Sequence, residues 1–307
     1  MKKVEIFLST YNGDRYIREQ LDSILDQKGE FELMISIRDD GSSDQTCQIL
    51  REYEKDARIT IQYGNNIGVN HSIMYLVHRS TNQADYYSFA DQDDLWYPHR
   101  IQTAIDAFEQ ESELTPILWS CAEELTDQNL TIIGHLTRPK HLGNFYNAML
   151  QNKIPGHTQI LNRRLFLLVR DYPPSSMYLY DRVVYMTACA FGRVIYGDVV
   201  CGKYRQHNFN EIGYESNKVR LFFHRVRFFF KGNYQHNADQ LSYFRDYYQE
   251  SLDSNHDKEI VCFLISRKHW WKRLFYVFRS KLKNDSLFEA LMIRVGYLLG
   301  AFGSHIE

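Results

Sequence analysis

The sequence is poor in the features that mark a small specialised fold. Its 307 residues include only five cysteines and six prolines. Cys47, Cys121, Cys189, Cys201 and Cys262 form no Cys-x-x-Cys pair, and their odd number leaves one without a partner. The spacing therefore indicates neither a disulfide framework nor a zinc knuckle, and it favours a reducing compartment.

Long apolar runs are missing as well. The first apolar run is broken by Glu5 and ends at Ser9, which is too short for the core of a signal peptide. The longest apolar stretch, residues 287–303, contains Glu289 and Arg294 and is shorter than the roughly 20 apolar residues of a spanning helix. We therefore expect a cytoplasmic protein that is not exported and has no transmembrane helix.

Net charge is almost absent, because 36 Lys and Arg oppose 38 Asp and Glu. This balance excludes a strongly basic nucleic-acid binder, and no nucleic-acid partner is expected. The charges are nevertheless unevenly placed. Residues 1–215 carry 21 basic and 29 acidic side chains, whereas residues 216–283 carry 14 and six. We therefore predict a boundary near residue 215, between an acidic domain and a basic C-terminal region of residues 216–307.

Aromatic residues are abundant, at 15% of the chain, and 16 of them lie in residues 216–283. Two segments there, residues 218–234 and 266–283, combine aromatic and basic side chains. The second segment predicts an amphipathic helix with basic residues on its other faces, and its apolar positions are Trp270, Trp271, Leu274, Phe275, Phe278 and Leu282. Such helices can lie on the inner face of an anionic membrane, or they can pack on the catalytic domain or on a second subunit of a homo-oligomer.

Residues 1–100 alternate short β-rich runs with helical patterns. Strands are predicted at 4–9, 31–40, 59–64 and 85–94, and helices follow the first two. This alternation predicts an α/β fold with a parallel sheet and helices on both faces. Ligands of such sheets bind beyond the carboxyl ends of the strands.

Two polar segments follow the first two predicted strands: STYNG at 9–13 and RDDGSSDQT at 38–46. Both are typical of turns that cap a helix. A capping turn does not explain two adjacent carboxylates, Asp39 and Asp40. A carboxylate at a strand end can accept the imide N–H of uracil or thymine, or a ribose hydroxyl.

The segment ADQDDLWYP at 90–98 is the most specific indication of a functional site. Asp91, Asp93 and Asp94 repel one another unless a cation or a proton neutralises them. Hard divalent cations such as Mg²⁺ and Mn²⁺ take oxygen ligands of this kind. An EF-type calcium loop is excluded because Trp96 stands where glycine is needed, and a phosphatase nucleophile is excluded by Leu95. The alternative is a solvated acidic turn.

Two further residues, Asp181 and His207, are candidates for the functional site. Asp181 lies at the start of a predicted helix, where it is either a first-turn carboxylate or a general base. His207 follows a strand-like segment and is either a structural hydrogen-bonding residue or a third metal ligand.

These motifs together resemble the inverting family 2 glycosyltransferases, and within them the bacterial rhamnosyltransferase-like enzymes of surface-polysaccharide synthesis. Six segments occur in the family's order: LSTYNG at 8–13, RDDGSSDQT at 38–46, NNIGVNHS at 65–72, ADQDDLWYP at 90–98, IPGHT at 154–158 and YRQH at 204–207. The resemblance implies a GT-A fold, which is a Rossmann-like, mostly parallel sheet flanked by helices. Residues 1–100 would form the nucleotide-sugar half and residues 101–215 the acceptor half, followed by a helical, basic and aromatic C-terminal extension.

The resemblance also implies roles for individual residues. Those that would bind the donor are Thr10, Tyr11, Asp39, Asp40, Asn66, Gly68, Asp91 and Gln92, with Asp40 as the contact to the base. Those that would hold Mn²⁺ or Mg²⁺ are Asp91, Asp93 and His207, supported by Asp94, Trp96 and Arg205. The general base would be Asp181, and the candidates on the acceptor side are Trp96, His157, Tyr180 and Arg182.

The flanks of Asp181 depart from the family. Relatives usually read His-Asp-Trp-Trp around the base, whereas this chain reads Tyr180, Asp181, Arg182, Val183. This difference from the family bears on which acceptor would be bound more than on the catalytic step.

The implied activity is metal-dependent, inverting transfer of rhamnose or a hexose from a dTDP- or UDP-sugar. The acceptor would be a hydroxyl of a glycan or of a polyprenyl-linked saccharide. Two other functions stay open from the sequence. One is a non-catalytic nucleotide-sugar-binding or membrane-associated scaffold of the same fold. The other is a sugar nucleotidyltransferase, for which STYNGDRY at 9–16 is a poor version of the expected Gly-rich basic loop.

Overall fold

The computed structural model describes residues 1–207, 233–281 and 287–300, without the side chains of 233–235, 287–290 and 292–293. Within these ranges the strands form one sheet of nine members with the order β3-β2-β1-β4-β8-β6-β9-β5, and β7 pairs with β6 beside this path. The strands are β1 (Lys2–Thr10), β2 (Phe31–Asp39), β3 (Ile59–Tyr63), β4 (Tyr86–Ala90), β5 (Leu95–Trp96), β6 (Ile117–Thr126), β7 (Ile132–Leu136), β8 (Ile160–Asn162) and β9 (Arg193–Arg205).

Helices connect and cover the strands. Two short 3₁₀ turns, Gly156–Thr158 and Pro174–Ser176, lie among them. The helices are α1 (Ile17–Leu25), α2 (Thr46–Tyr53), α3 (Val69–Arg79), α4 (Arg100–Glu109), α5 (Phe145–Ala148), α6 (Arg163–Val169), α7 (Tyr180–Phe191), α8 (Asn233–Tyr248), α9 (Ser254–Ser266), α10 (Trp270–Arg279) and α11 (Leu287–Leu298).

The first four strands form the predicted parallel sheet. β1 pairs in parallel with β2 and with β4, and β2 pairs in parallel with β3. The helix α1 forms because Ile17, Leu21 and Ile24 repeat at helical spacing, and all three are buried against one face of the sheet. The prediction of a mostly parallel sheet flanked by helices, followed by a helical C-terminal region, is confirmed.

One short strand beside β4 runs in the opposite direction to its neighbours. β8 has three residues and is antiparallel to both β4 and β6, with Ser88 opposite Ile160 and Trp119 opposite the same residue. The 3₁₀ turn Gly156–Thr158 that leads into β8 therefore lies next to the carboxyl end of β4. This reversal brings distant segments of the chain to one edge of the sheet.

The C-terminal helices share a hydrophobic core with the sheet. One buried cluster contains Phe7 of β1, Tyr87 of β4, Val183 of α7, Phe244 of α8 and Phe263 of α9. Burying one such aromatic side chain stabilises the fold by about 1.5–3 kcal/mol. Part of the aromatic excess of the sequence therefore lies in this core. The predicted boundary near residue 215 and most of the segment 218–234 lie outside the described residues.

The predicted amphipathic helix in 266–283 is present as α10. Across the part of the chain that the structure describes, no helix is both long and apolar enough to cross a bilayer.

Candidate active site

The carboxyl ends of β1 and β4 are joined through Gln92. Its Oε1 accepts hydrogen bonds from the Thr10 hydroxyl at 2.6 Å and the Tyr11 amide at 2.9 Å, and its Nε2 donates to the Tyr11 carbonyl at 3.2 Å. A side chain at Gly13 would collide with this network, because its Cβ would lie 2.3 Å from Gln92 Oε1. Thr10 and Gln92 thus bind each other, whereas the Tyr11 side chain is exposed beside them.

Asp40 fixes a neighbouring loop. Its carboxylate accepts hydrogen bonds from the Arg38 guanidinium, from the Ile67 amide at 3.0 Å and from the Gly68 amide at 2.8 Å. Gly68 adopts a φ of 82°, a left-handed conformation that favours glycine. Asn66 and Gly68, both predicted to contact the donor, therefore lie on an exposed loop that Asp40 holds in place.

Asp39 keeps one carboxylate oxygen available. Its Oδ1 accepts hydrogen bonds from the amides of Gly41 at 3.2 Å and Ser42 at 3.0 Å. Its Oδ2 is buried and has no hydrogen-bond partner among the described residues. A buried carboxylate oxygen without a partner is costly, so this atom is suited to accept a ligand's N–H or O–H. The geometry therefore favours Asp39 over Asp40 for the predicted base contact.

Asp91, Asp94 and His157 form one group at the end of β4. One ligand atom from each residue can be chosen so that all three lie within 4.8 Å of one another. His157 Nδ1 lies 3.4 Å from Asp91 Oδ2, and His157 Nε2 lies 3.9 Å from Asp94 Oδ2. Asp94 is buried with Oδ2 lacking a hydrogen bond from any described group, whereas the Asp91 side chain is 43% exposed. The group is therefore enclosed by the protein at Asp94 and open to solvent at Asp91.

This group fits a divalent cation. The carboxylate oxygens of Asp91 and Asp94 suit Mn²⁺ and Mg²⁺, and the His157 imidazole offers a nitrogen ligand of the kind that transition-metal ions take. Burial raises the pKa of Asp94 well above its ordinary value, although the nearby His157 opposes the shift. The neighbouring carboxylates Glu123 and Asp94 raise the pKa of His157 well above its ordinary value despite its burial. Both shifts favour the protonated forms of these side chains, and a cation bound to the group would compete with those protons.

Asp93 and His207 form a second pair beside this group. Asp93 Oδ2 lies 2.8 Å from His207 Nε2, and the imidazole stacks on the Tyr16 ring with the centroids 4.9 Å apart. Burial and the negative charge of Asp91 raise the pKa of Asp93. The predicted ligands Asp91, Asp93 and His207 therefore separate into two adjacent sets. Asp93 contacts His207, and Asp91 lies 3.4 Å from His157.

Arg205 anchors the loop that carries the carboxylates. Its backbone amide donates to Asp94 Oδ1 at 3.1 Å, and its Nε donates to the Asp93 carbonyl at 2.8 Å. Its guanidinium also bonds to Glu19 and lies over the Tyr16 ring, 4.4 Å from the centroid. Arg205 is therefore placed to support the loop that carries Asp93 and Asp94.

Sequence reasoning missed a buried ion pair behind His157. Glu123 Oε2 lies 2.8 Å from His157 Nε2, and Glu123 Oε1 accepts a hydrogen bond from Arg100 Nη1 at 2.9 Å. Arg100 also donates to the His157 carbonyl and lies over Trp96, 4.1 Å from the ring centroid. Trp96 is 1% exposed. Two of the side chains predicted for the acceptor side, Trp96 and His157, therefore lie inside the protein. His157 belongs to the group with Asp91 and Asp94, and Trp96 packs against Arg100 next to it.

Asp181 lies at the start of α7, close enough to Asp91 for the two charges to interact. Burial raises the pKa of Asp181 to about 6, with a further contribution from Asp91, while the amide of Arg182 opposes the shift. That amide donates to Asp181 Oδ1 at 2.7 Å, and Gln159 Nε2 holds the Asp181 carbonyl at 2.9 Å. A carboxylate with a pKa near neutrality beside a candidate metal group has the properties of a general base.

The unusual flanks of Asp181 have structural partners. Arg182 is buried, and its guanidinium donates to Asn237 Oδ1 at 2.6 Å, Gln240 Oε1 at 3.2 Å and the Met149 carbonyl. Tyr180 is also buried, in an edge-to-face contact with the Phe89 ring. Arg182 and Tyr180 therefore join α7 to its surroundings, and Arg182 reaches α8 of the C-terminal region instead of an open acceptor surface.

The chain belongs to glycosyl transferase family 2, whose family model matches residues 5–171. Among curated proteins, it is 36% identical to the dTDP-rhamnosyl transferase RfbG of Shigella flexneri over 104 residues, which cover 32% of this chain and 36% of that protein. The chain spans between about a third and two thirds of the length of the first curated relatives that it matches.

Solved structures share the fold. S. aureus TarS in complex with UDP-GlcNAc matches with a TM-score of 0.59 and 17% identity, over 98% of this chain and 82% of that chain. The Pyrobaculum calidifontis mannosyltransferase PcManGT, in complex with GDP-Man and Mn²⁺, matches with a TM-score of 0.55 and 17% identity, over 97% and 85%. The chain has the GT-A fold that the resemblance implied.

Proposed function

We propose that this protein is a metal-dependent, inverting glycosyltransferase that uses a dTDP- or UDP-sugar. The observation that carries the proposal is the placement of Asp181, with its pKa raised to about 6, beside the group of Asp91, Asp94 and His157. One site thus offers a general base and a set of ligands for a cation. Both lie at the edge of the sheet where ligands of α/β folds bind.

The residues at the ends of β1 and β2 would bind the nucleoside. Asp39 Oδ2 can accept the imide N–H of uracil or thymine, which both present a donor at the same ring position. The exposed Tyr11 ring is available to stack on the base. Asn66 and the Gly68 backbone would lie along the ribose and the diphosphate.

Asp39→Asn should weaken UDP and dTDP binding by about 10- to 100-fold, as expected for a lost hydrogen bond to a charged group. The asparagine oxygen can keep the bonds from Gly41 and Ser42, but its NH₂ would then face the imide N–H of the base, donor against donor. Isothermal titration calorimetry with UDP and dTDP measures the change.

The matched control for this variant is Asp106→Asn, because Asp106 is an exposed aspartate on α4, outside the site. Both variants should melt at the wild-type temperature. Wild-type affinity for both nucleotides in Asp39→Asn would contradict the assignment of the base contact.

Asp91, Asp94 and His157 would hold the cation, with Asp93 and His207 beside it. A divalent cation bound there supplies positive charge next to the departing diphosphate. The chain itself provides the rigid side of the site, because Arg205 anchors the carboxylate loop and Glu123 fixes the ring of His157. The open side at Asp91 leaves room for the diphosphate.

Asp181 would accept the proton of the acceptor hydroxyl as that oxygen attacks the anomeric carbon. The bond from the anomeric carbon to the nucleoside diphosphate breaks on the opposite face, so the configuration inverts. The position of Asp181 at the N-terminus of α7 and its raised pKa suit a base that must be deprotonated near neutral pH.

The similarity to a dTDP-rhamnosyl transferase supports rhamnose or a hexose as the donor sugar. The proposed acceptor, a hydroxyl on a glycan or polyprenyl-linked saccharide of bacterial surface-polysaccharide synthesis, follows from the resemblance of the sequence motifs alone. The nucleotidyltransferase alternative is set aside, because the chain belongs to a glycosyltransferase family. The donor panel described next distinguishes the non-catalytic scaffold from an enzyme.

The test of this function is release of the nucleoside diphosphate from a panel of dTDP- and UDP-sugars in the presence of saccharide acceptors, with GDP-mannose as the comparison donor. Catalysis predicts metal-stimulated release of dTDP or UDP from at least one donor. A scaffold predicts donor binding by calorimetry without release from any donor, and that result would refute the enzymatic proposal.

A further inference from the structure

The helix α10 docks by one narrow face and turns its aromatic residues outward. Tyr276 is its buried contact, packing against Phe263 and Tyr297 and donating a hydrogen bond to Glu259 at 2.9 Å. Arg273 adds hydrogen bonds to the carbonyls of Arg267 and Leu298. The docked face of this amphipathic helix is thus partly polar. This is the reverse of the usual arrangement for a surface helix, which buries its apolar stripe.

The outward face carries large apolar side chains that are exposed. Their exposed fractions are 71% for Trp270, 56% for Trp271, 40% for Leu274, 60% for Phe275 and 82% for Phe278. These five residues, which we call the aromatic face, recur at helical spacing along α10. They form a continuous exposed apolar stripe, and such stripes mark interaction sites in soluble proteins.

Further exposed apolar residues belong to the helix that packs beside α10. Leu291, Val295 and Leu299 of α11 and its C-terminal end are 60%, 39% and 69% exposed. They repeat every four residues and so lie on one side of that helix. The hydrogen bond from Arg273 to the Leu298 carbonyl joins the two helices. Exposed apolar side chains therefore occur on both of these adjacent helices.

Cations border the aromatic face. Lys272 lies over the Trp271 ring at 5.3 Å from the centroid, and Arg279 lies over the Phe275 ring at 5.1 Å. Lys268 and Lys281 are exposed at the two ends of the helix. The helix itself contains no acidic residue. Apolar side chains bordered by Lys and Arg match the two layers of an anionic bilayer surface, which are acyl chains below and negative headgroups above.

We propose that the aromatic face of α10 binds the surface of an anionic lipid bilayer, with α11 beside it. The aromatic rings would insert at the level of the headgroups, and Lys268, Lys272 and Arg279 would contact lipid phosphates. The charge pattern favours this occupant over a second copy of the chain, because two such faces would bring like charges together. This surface is separate from the candidate active site, and the proposal does not depend on the catalytic assignment.

The test uses the full chain and sedimentation with vesicles of phosphatidylcholine, with or without phosphatidylglycerol. Wild-type protein should sediment with the anionic vesicles, and binding should fall as salt is raised. Tryptophan emission should shift to the blue, since Trp270 and Trp271 are two of the four tryptophans. A double variant, Phe275→Ser with Phe278→Ser, should reduce partitioning at least about tenfold.

The matched control is Ile132→Ser with Ile133→Ser, which removes two exposed apolar residues of β7 and should leave vesicle binding unchanged. Circular dichroism spectra and melting temperatures like those of the wild type show that both double variants are folded. Equal binding of wild type and the α10 variant, or no binding to anionic vesicles, would overturn the proposal. A wild-type dimer that the α10 variant makes monomeric, without vesicle binding, would assign the face to a second copy instead.

Discussion

Asp181→Asn should lower turnover by about 10²- to 10⁴-fold, which is the usual contribution of general-base catalysis. Asparagine has nearly the same shape and can keep the hydrogen bond from the Arg182 amide to its side-chain oxygen. It cannot accept the proton of the acceptor hydroxyl. Donor affinity should therefore stay close to that of the wild type, and the loss should appear in kcat.

The pH dependence of kcat/KM is a second test of the role of Asp181. A base acts in its deprotonated form, so kcat/KM should fall by tenfold per pH unit below the pKa of Asp181. That pKa is raised to about 6 by burial and, in part, by the charge of Asp91. A cation beside Asp91 would offset the second contribution, so the acid limb should lie at or below about pH 6. Asp181→Asn should remove this limb from its residual activity.

The control for this variant is Asp171→Asn, because Asp171 is an exposed aspartate that is paired with Arg170 outside the site. Its turnover and pH profile should match those of the wild type. Near-wild-type turnover in Asp181→Asn would remove Asp181 from the role of base, whatever the pH profile shows.

Removal of the cation should abolish activity. Excess chelator is expected to stop release of the nucleoside diphosphate, and added Mn²⁺ or Mg²⁺ should restore it. Asp91→Asn should weaken Mn²⁺ binding by at least the 10- to 100-fold that is typical for loss of a residue supporting a metal. Asp91 belongs both to the ligand set predicted from the sequence and to the group in the structure, so this test does not depend on choosing between them.

Metal binding can be read without catalysis, by electron paramagnetic resonance or calorimetry with Mn²⁺ alone. Asp106→Asn again serves as the matched control and should bind Mn²⁺ like the wild type. Unaltered activity in excess chelator, or wild-type Mn²⁺ affinity in Asp91→Asn, would contradict the metal assignment.

The parallel half of the fold could be predicted because its sequence signals are local. β1, β2, β3 and β4 are short apolar runs that end in polar turns, and the rule for strand ends places their side chains together. The structure adds a distinction that no local pattern contains. Asp39 and Asp40 are adjacent in sequence, but their hydrogen-bond partners decide which one keeps a carboxylate oxygen available.

The residues behind the carboxylates could not be predicted, because they come together through long-range pairing. β8 is three residues long and runs antiparallel in a mostly parallel sheet, and this reversal delivers His157 to the end of β4. Arg100 and Glu123 are separated by 23 residues and would be expected on solvated faces. The signal that could have found Glu123 is its place inside ILWSCAEELT, an otherwise largely apolar strand.

Arg182 illustrates the same limit. Its position next to the proposed base, where relatives usually carry tryptophan, made it a candidate for contact with the acceptor. In the structure it points to Asn237 and Gln240 of α8, more than 50 residues away. The departure from the family's flanks around Asp181 therefore coincides with a contact between the sheet domain and the C-terminal helices. No periodic pattern in the sequence could reveal that contact.

The most direct test of the central claim is the anomeric configuration of the product. With the donor identified by the panel, nuclear magnetic resonance of the transferred sugar at early time points reports its configuration before any later reaction. Single displacement with Asp181 as the base predicts inversion, so an α-linked donor sugar should give a β-linked product. A product that retains the configuration of the donor would contradict the account.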